Sequence, residues 1–180
     1  MEFLEGCEMM THVLTLRMDA ASQAHFEALR RRYFPPERNQ IPAHLSLFHT
    51  LPKHGGVVRV LEVETGVQER FRIAVTGVRS LGKGVAYRLS SGVLMALHGR
   101  LSEAFREHLT AQDRQRLEPH VVVQNKVTPA AARELLAELE RGLVPMEVEA
   151  VGLDLWNYLG GPWELARTFP FGREGGSSLV

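Results

Sequence analysis

The chain has 180 residues, enough to bury a substantial core and most simply read as one domain of two lobes. Its 21 basic and 21 acidic residues cancel, which excludes a general polyanion binder while leaving room for a local basic cleft. With Cys7 as the only cysteine there is no internal disulfide framework, and no apolar run approaches a membrane span, so a cytoplasmic location is expected.

Residues 1–10 begin with an acidic stretch that lacks the basic start of a signal peptide, and are expected to form a disordered extension before the first strand. His12 to Met18 alternates as a strand. Asp19 or Ser22 caps a helix whose inward stripe is Phe26, Leu29 and Tyr33, and Pro35-Pro36 ends it. A loop through Arg38 and Pro42 leads to Ala43-His44-Leu45-Ser46-Leu47-Phe48-His49-Thr50-Leu51. As a strand this stretch puts Leu45, Leu47, His49 and Leu51 on one face and His44, Ser46, Phe48 and Thr50 on the other.

Residues 57–67 lean to helix. Strands follow at Phe71–Val75 and Val85–Leu89, turning at Leu81-Gly82-Lys83-Gly84. Ser90 or Ser91 then starts a helix with Leu94, Leu97, Leu101, Phe105 and Leu109 inward. Glu118-Pro119-His120-Val121-Val122-Val123-Gln124 reads as a second strand opened by proline, with His120, Val122 and Gln124 on one face. Thr128-Pro129 starts a helix that Gly142 closes. Val148–Trp156 and Trp163–Phe169 make a last strand pair around Gly160, and residues 172–180 read as a flexible tail.

Helix, histidine strand, helix and strand pair thus occur twice. His120 lies 76 residues after His44, and Gly160 lies 78 after Gly82. Two such lobes about an approximate twofold would set His44 and His120 face to face across one cleft. A pair of imidazoles suits displacement at phosphorus, one taking a proton and the other supplying one, because histidine holds both forms near neutrality. Ser46, two residues beyond His44, can donate to a non-bridging phosphate oxygen. A rate maximum near neutral pH is expected from such a pair.

The His-x-Ser-x motif at His44, its partner at His120 and the spacing between them resemble the two-histidine (2H) phosphoesterases, in their bacterial 2′-5′ RNA ligase / RNA 2′,3′-cyclic phosphodiesterase branch. The resemblance covers roughly residues 11–170, within a single two-lobed domain expected over 11–171. It implies an α+β fold, duplicated and bilobal, with an antiparallel sheet in each lobe lining a central cleft and helices outside. It also implies metal-independent chemistry on a cyclic phosphodiester or 2′-5′ linkage, with His44 and His120 catalytic and Ser46 the first motif hydroxyl. The partner would be an RNA end or a small nucleotide carrying that phosphate, bound by a monomer with no membrane and no cofactor involved.

Position 122, where the family pattern has a second hydroxyl, holds Val122. Gln124 on the same face is a candidate substitute, and Arg38 a candidate phosphate contact; Lys53, Lys83 and Lys126 read more simply as surface cations. A catalytically weak RNA- or nucleotide-binding module using the same cleft is the alternative that Val122 raises. Histidines 44, 49 and 54 do not suggest a metal site, since their odd spacing on a strand divides His44 from His49 and no carboxylate joins them at ligand spacing. Trp156, Tyr158 and Trp163 near the last turn can stack on a base or pack the turn.

Overall fold

The computed structural model describes residues 11–172; the expected N-terminal extension lies outside the described residues, as does the tail beyond Gly172. In chain order the elements are β1 (Thr11–Met18), α1 (Ala20–Tyr33), a 3-10 turn (Pro36–Arg38), β2 (Leu45–Pro52), α2 (Gly55–Val67), β3 (Phe71–Ser80), β4 (Val85–Ser90), α3 (Gly92–Phe105), β5 (His120–Gln124), α4 (Pro129–Arg141), β6 (Met146–Tyr158) and β7 (Glu164–Pro170). The class is α+β, as the sequence indicates. No described helix is long and apolar enough to cross a membrane.

The helix starts follow their caps. Asp19 accepts from the Ser22 N–H, Ser91 from the Leu94 N–H and Thr128 from the Ala131 N–H, each satisfying a donor that the first helical turn leaves free. The other Asp19 oxygen accepts from the Glu149 N–H at 2.9 Å, which ties the start of α1 to β6. The five inward residues of the α3 region, Leu94 to Leu109, are all buried.

All strand pairs are antiparallel, in the order β2-β1-β6-β3-β4-β5, with β7 also on β6. The strands are not divided into a separate sheet for each lobe, because β6 belongs to both groups. At 13 residues it is long enough to pair β3 through Met146–Ala150 and β1 and β7 through its remainder. Ala150 has a partner on each side, Met18 and Phe71. The two ends of the order, β2 and β5, come into contact, so the sheet curls and brings together the strands that carry the two histidines.

β2 departs from simple alternation. Leu14 lies opposite Phe48 and Thr15 opposite Ser46, while His12 lies opposite Leu51, so β2 carries extra residues in two places. These are β-bulges, which bend a strand and re-aim its side chains. Leu47 and Phe48 are consequently both buried and His49 is exposed. The alternation expected from the sequence, with Phe48 outward and His49 among the leucines, is corrected here: Phe48 is the better core residue, packing against the Phe105 ring at 5.7 Å.

Gly82 and Gly160, the two turn glycines, both adopt the left-handed conformation, with φ of 82° and 84°. Gly84 serves a different purpose. A Cβ there would stand 2.0 Å from the Gln124 carbonyl oxygen, so the hairpin can lie against β5 only without a side chain. Gly84→Ala is expected to destabilise by about 1–3 kcal/mol, the usual cost of overpacking. Gly99→Ala in α3, where a Cβ meets open space, should stabilise slightly. Urea unfolding of both variants checks the contrast, and equal midpoints would remove the close approach as a constraint.

Candidate active site

The backbone leading into His44 is gripped by α1. Gln23 and Glu27, one helical turn apart, hold Ala43 from both sides: Glu27 Oε1 accepts from the Ala43 N–H at 2.8 Å, and Gln23 Nε2 donates to the Ala43 carbonyl at 2.8 Å. Gln23 Nε2 also donates to Glu27 Oε1 at 2.9 Å, closing the clamp. The sequence carried a signal for this, since the two polar residues share one helix face at i, i+4.

His44 Nδ1 lies 2.8 Å from the Pro42 carbonyl oxygen, and His120 Nδ1 lies 2.7 Å from the Glu118 carbonyl oxygen. A carbonyl only accepts, so in each ring Nδ1 carries the proton and Nε2 is the nitrogen left for chemistry. Both rings are therefore held the same way, by the carbonyl two residues back. Burial pushes the His44 pKa down to about 4, against a raising effect from the Pro42 carbonyl and with further lowering by the charges of Arg30, His120 and His49. His44 is thus a neutral base with a free Nε2 across the physiological range.

Ser46 and His120 line one cavity of about 460 Å³, together with His49, Asp113 and Arg116. His44 opens onto another, of about 740 Å³, bordered by Thr15, Asp154 and Trp156. The Trp163 ring lies 4.7 Å from the His44 ring and 6.2 Å from that of Trp156, so an aromatic group stands beside the first histidine. Tyr158 is exposed.

The remaining candidates are not brought to these cavities. Arg38 is exposed on the 3-10 turn and lines neither. Gln124 is buried, its Oε1 without a hydrogen-bond partner among the described residues, and it too lines neither. Val122 is partly buried and lines neither.

Two functional neighbours were not evident from the sequence. Arg30, fully buried in the last turn of α1, donates through Nη1 to the Val122 carbonyl at 2.9 Å and through Nε to Asn39 Oδ1 at 3.1 Å. It has no carboxylate ion-pair partner among the described residues. The guanidinium thus joins α1 to β5 and sets a fixed cation near His44. Its position four residues after Phe26 on the inward stripe, where an apolar side chain is normal, is the signal that marks it. The second is Asp113, which accepts from the His49 ring Nδ1 at 3.0 Å and from the backbone N–H groups of His49 and Thr50, both at 2.9 Å. Burial would raise its pKa, but the bonds from His49 and Thr50 outweigh that and hold the carboxyl below its ordinary value. Among the described residues no three His, Cys, Asp or Glu side chains gather to hold a metal ion.

A family model described as the 2′-5′ RNA ligase superfamily matches residues 18–162, which include both histidine strands. The chain belongs to the 2′-5′ RNA ligase superfamily. Solved structures of similar fold agree at low sequence identity. TT0787 of Thermus thermophilus superposes with a TM-score of 0.64 at 13% identity, covering 90% of this chain and 98% of that one. E. coli LigT, crystallised with 3′-AMP, gives 0.59 at 16% identity over 90% of this chain and 98% of LigT. A protein described only as a phosphoesterase gives 0.59 at 16% identity, over 92% of this chain and 100% of the other. No curated protein matches the chain by sequence. Membership in this superfamily makes a phosphoesterase or ligase-type reaction the coarse functional assignment.

Proposed function

We propose that the protein is a metal-independent phosphoesterase that opens a cyclic phosphodiester or cleaves a 2′-5′ linkage in RNA or a small nucleotide. The observation that carries this reading is the matched setting of the two rings, each bonded through Nδ1 to the carbonyl two residues back. His44, kept neutral by burial, is the base. Its Nε2 takes the proton of a water whose oxygen attacks phosphorus. The bond from phosphorus to the leaving ribose oxygen breaks, and His120 Nε2–H gives that oxygen its proton. Ser46 donates to a non-bridging oxygen, where charge grows in the transition state. After one turnover His44 holds the proton that His120 has lost, and exchange with water resets the pair.

Binding of 3′-AMP by LigT supports a nucleotide ligand here, with the ring of Trp163 beside His44 as a surface for the base. A cytoplasmic location is part of the same reading, resting on the single cysteine. Val122 in place of a hydroxyl favours one alternative, a binding module that has lost efficient chemistry. Turnover of 2′,3′-cyclic AMP in excess chelator separates the two. Steady hydrolysis to a 2′- or 3′-phosphate is expected; saturable binding without product would support the binding module. Activity abolished by chelator and restored by a divalent cation would overturn the metal-free mechanism.

A further inference from the structure

His49 has no part in the mechanism above, yet the fold spends two devices on it. The bulges of β2 turn it into the cavity that Ser46 and His120 line, where regular alternation would bury it. Asp113 then fixes the ring: its side chain is 1% exposed while that of His49 is 44% exposed. A buried carboxylate thus holds the backbone N–H groups of His49 and Thr50 and orients the His49 ring as well. With Nδ1 facing Asp113, Nε2 is the free nitrogen.

The same cavity is lined by two arginines, Arg79 and Arg116. Arg116 lines it, is exposed and forms no ion pair among the described residues. Arg79 also lines it but is engaged by Glu118 at 2.6 Å. Both local carboxylates therefore have partners, and Arg116 and the outer edge of His49 face the open space. Ser46 and His49 are three residues apart on a strand bulged between Ser46 and Phe48, so they stand somewhat closer than the roughly 10 Å of a regular strand. That separation suits two anionic groups of one ligand better than two contacts to a single phosphate.

We propose that His49 and Arg116 form a second phosphate subsite, which holds a phosphate of the ligand beyond the one at His44, Ser46 and His120. His49 presents its Nε2 edge, held in place by Asp113, and Arg116 donates through its guanidinium. The ligand class this selects is a nucleotide or oligonucleotide with at least two phosphates. The inference rests on the phosphate site proposed above, and goes beyond it in substrate class.

The test is calorimetric titration of the full chain with adenosine 3′-monophosphate and with adenosine 3′,5′-bisphosphate at matched ionic strength. The wild-type protein should bind the bisphosphate about tenfold more tightly or better, the value of one charge-assisted hydrogen bond. His49→Ala should reduce that ratio by about tenfold and Arg116→Ala in the same direction, on the same grounds. Arg116 is an exposed side chain, so its variant keeps the test independent of any folding defect at His49. A wild-type ratio near one, or a ratio unchanged in both variants, would overturn the subsite. Failure of the wild-type protein to turn over any cyclic nucleotide would count against the enzymatic reading alone, since the ratio is read from binding.

Discussion

Replacing either His44 or His120 by alanine is expected to lower kcat/KM for a 2′,3′-cyclic nucleotide by about 10²–10⁴-fold, the range for losing a positioned acid or base. The double variant should be little worse than the poorer single one, because the two rings act in one proton-transfer sequence and their losses do not add. The fold should survive both changes. His120 is only partly buried, and each substitution frees one backbone carbonyl, that of Pro42 or Glu118, which neighbouring water can satisfy. The pH profile adds a sharper requirement. With the His44 pKa pushed down to about 4, the acid limb of kcat/KM for the free enzyme should fall near pH 4 and not near 6.5. The neutral maximum expected from two ordinary histidines is therefore broadened on its acid side. A His120→Ala protein with undiminished turnover would falsify the two-histidine mechanism.

The parts of the fold legible in the sequence are those set by local chemistry. Asp19, Ser91 and Thr128 cap the helices that their side chains predict, and α2, ambiguous from pattern alone, is a helix over Gly55–Val67. The 76-residue offset between two similar strands also marked His44 and His120 as a pair, and their rings proved to be held by carbonyls at the same offset. What the pattern could not carry is long-range. Alternation puts His49 inside because it assumes a regular ladder, and only the pairing of β1 with β2 shows the extra residues that turn it out. Asp113 lies 64 residues from His49 in a segment with no strong periodicity, so nothing local couples them. Gln124 shares the strand face of His120, but it sits where β5 meets the Gly84 turn and is covered there. Arg38 shows the converse: a cation near His44 in sequence is exposed on its turn, while buried Arg30, from the preceding helix, is the one that influences the ring.

The depressed pKa of His44 also predicts how the protein responds to acid. In the unfolded chain a histidine takes up its proton near pH 6.5, whereas folded His44 resists until about pH 4. Between those values the unfolded state binds more protons, so stability rises with pH and is lost as pH falls through the window. By pH 4 the cost for this one group is on the order of 3 kcal/mol, a sizeable share of a marginal total. His12 and His98 are lowered as well, by burial first, and so act in the same direction. Asp19 and Asp113 are carboxylates held below their ordinary values, so their share is lost mainly below pH 4 and leaves the window to the histidines. His44→Gln isolates one ring, because it removes the titrating group and keeps a polar side chain of similar length. Urea unfolding at pH 7, 6, 5 and 4 should show the wild-type protein losing about 3 kcal/mol more than His44→Gln across that range. Parallel curves for the two proteins would mean that His44 takes up its proton as readily folded as unfolded, and would remove the grounds for assigning it the role of base.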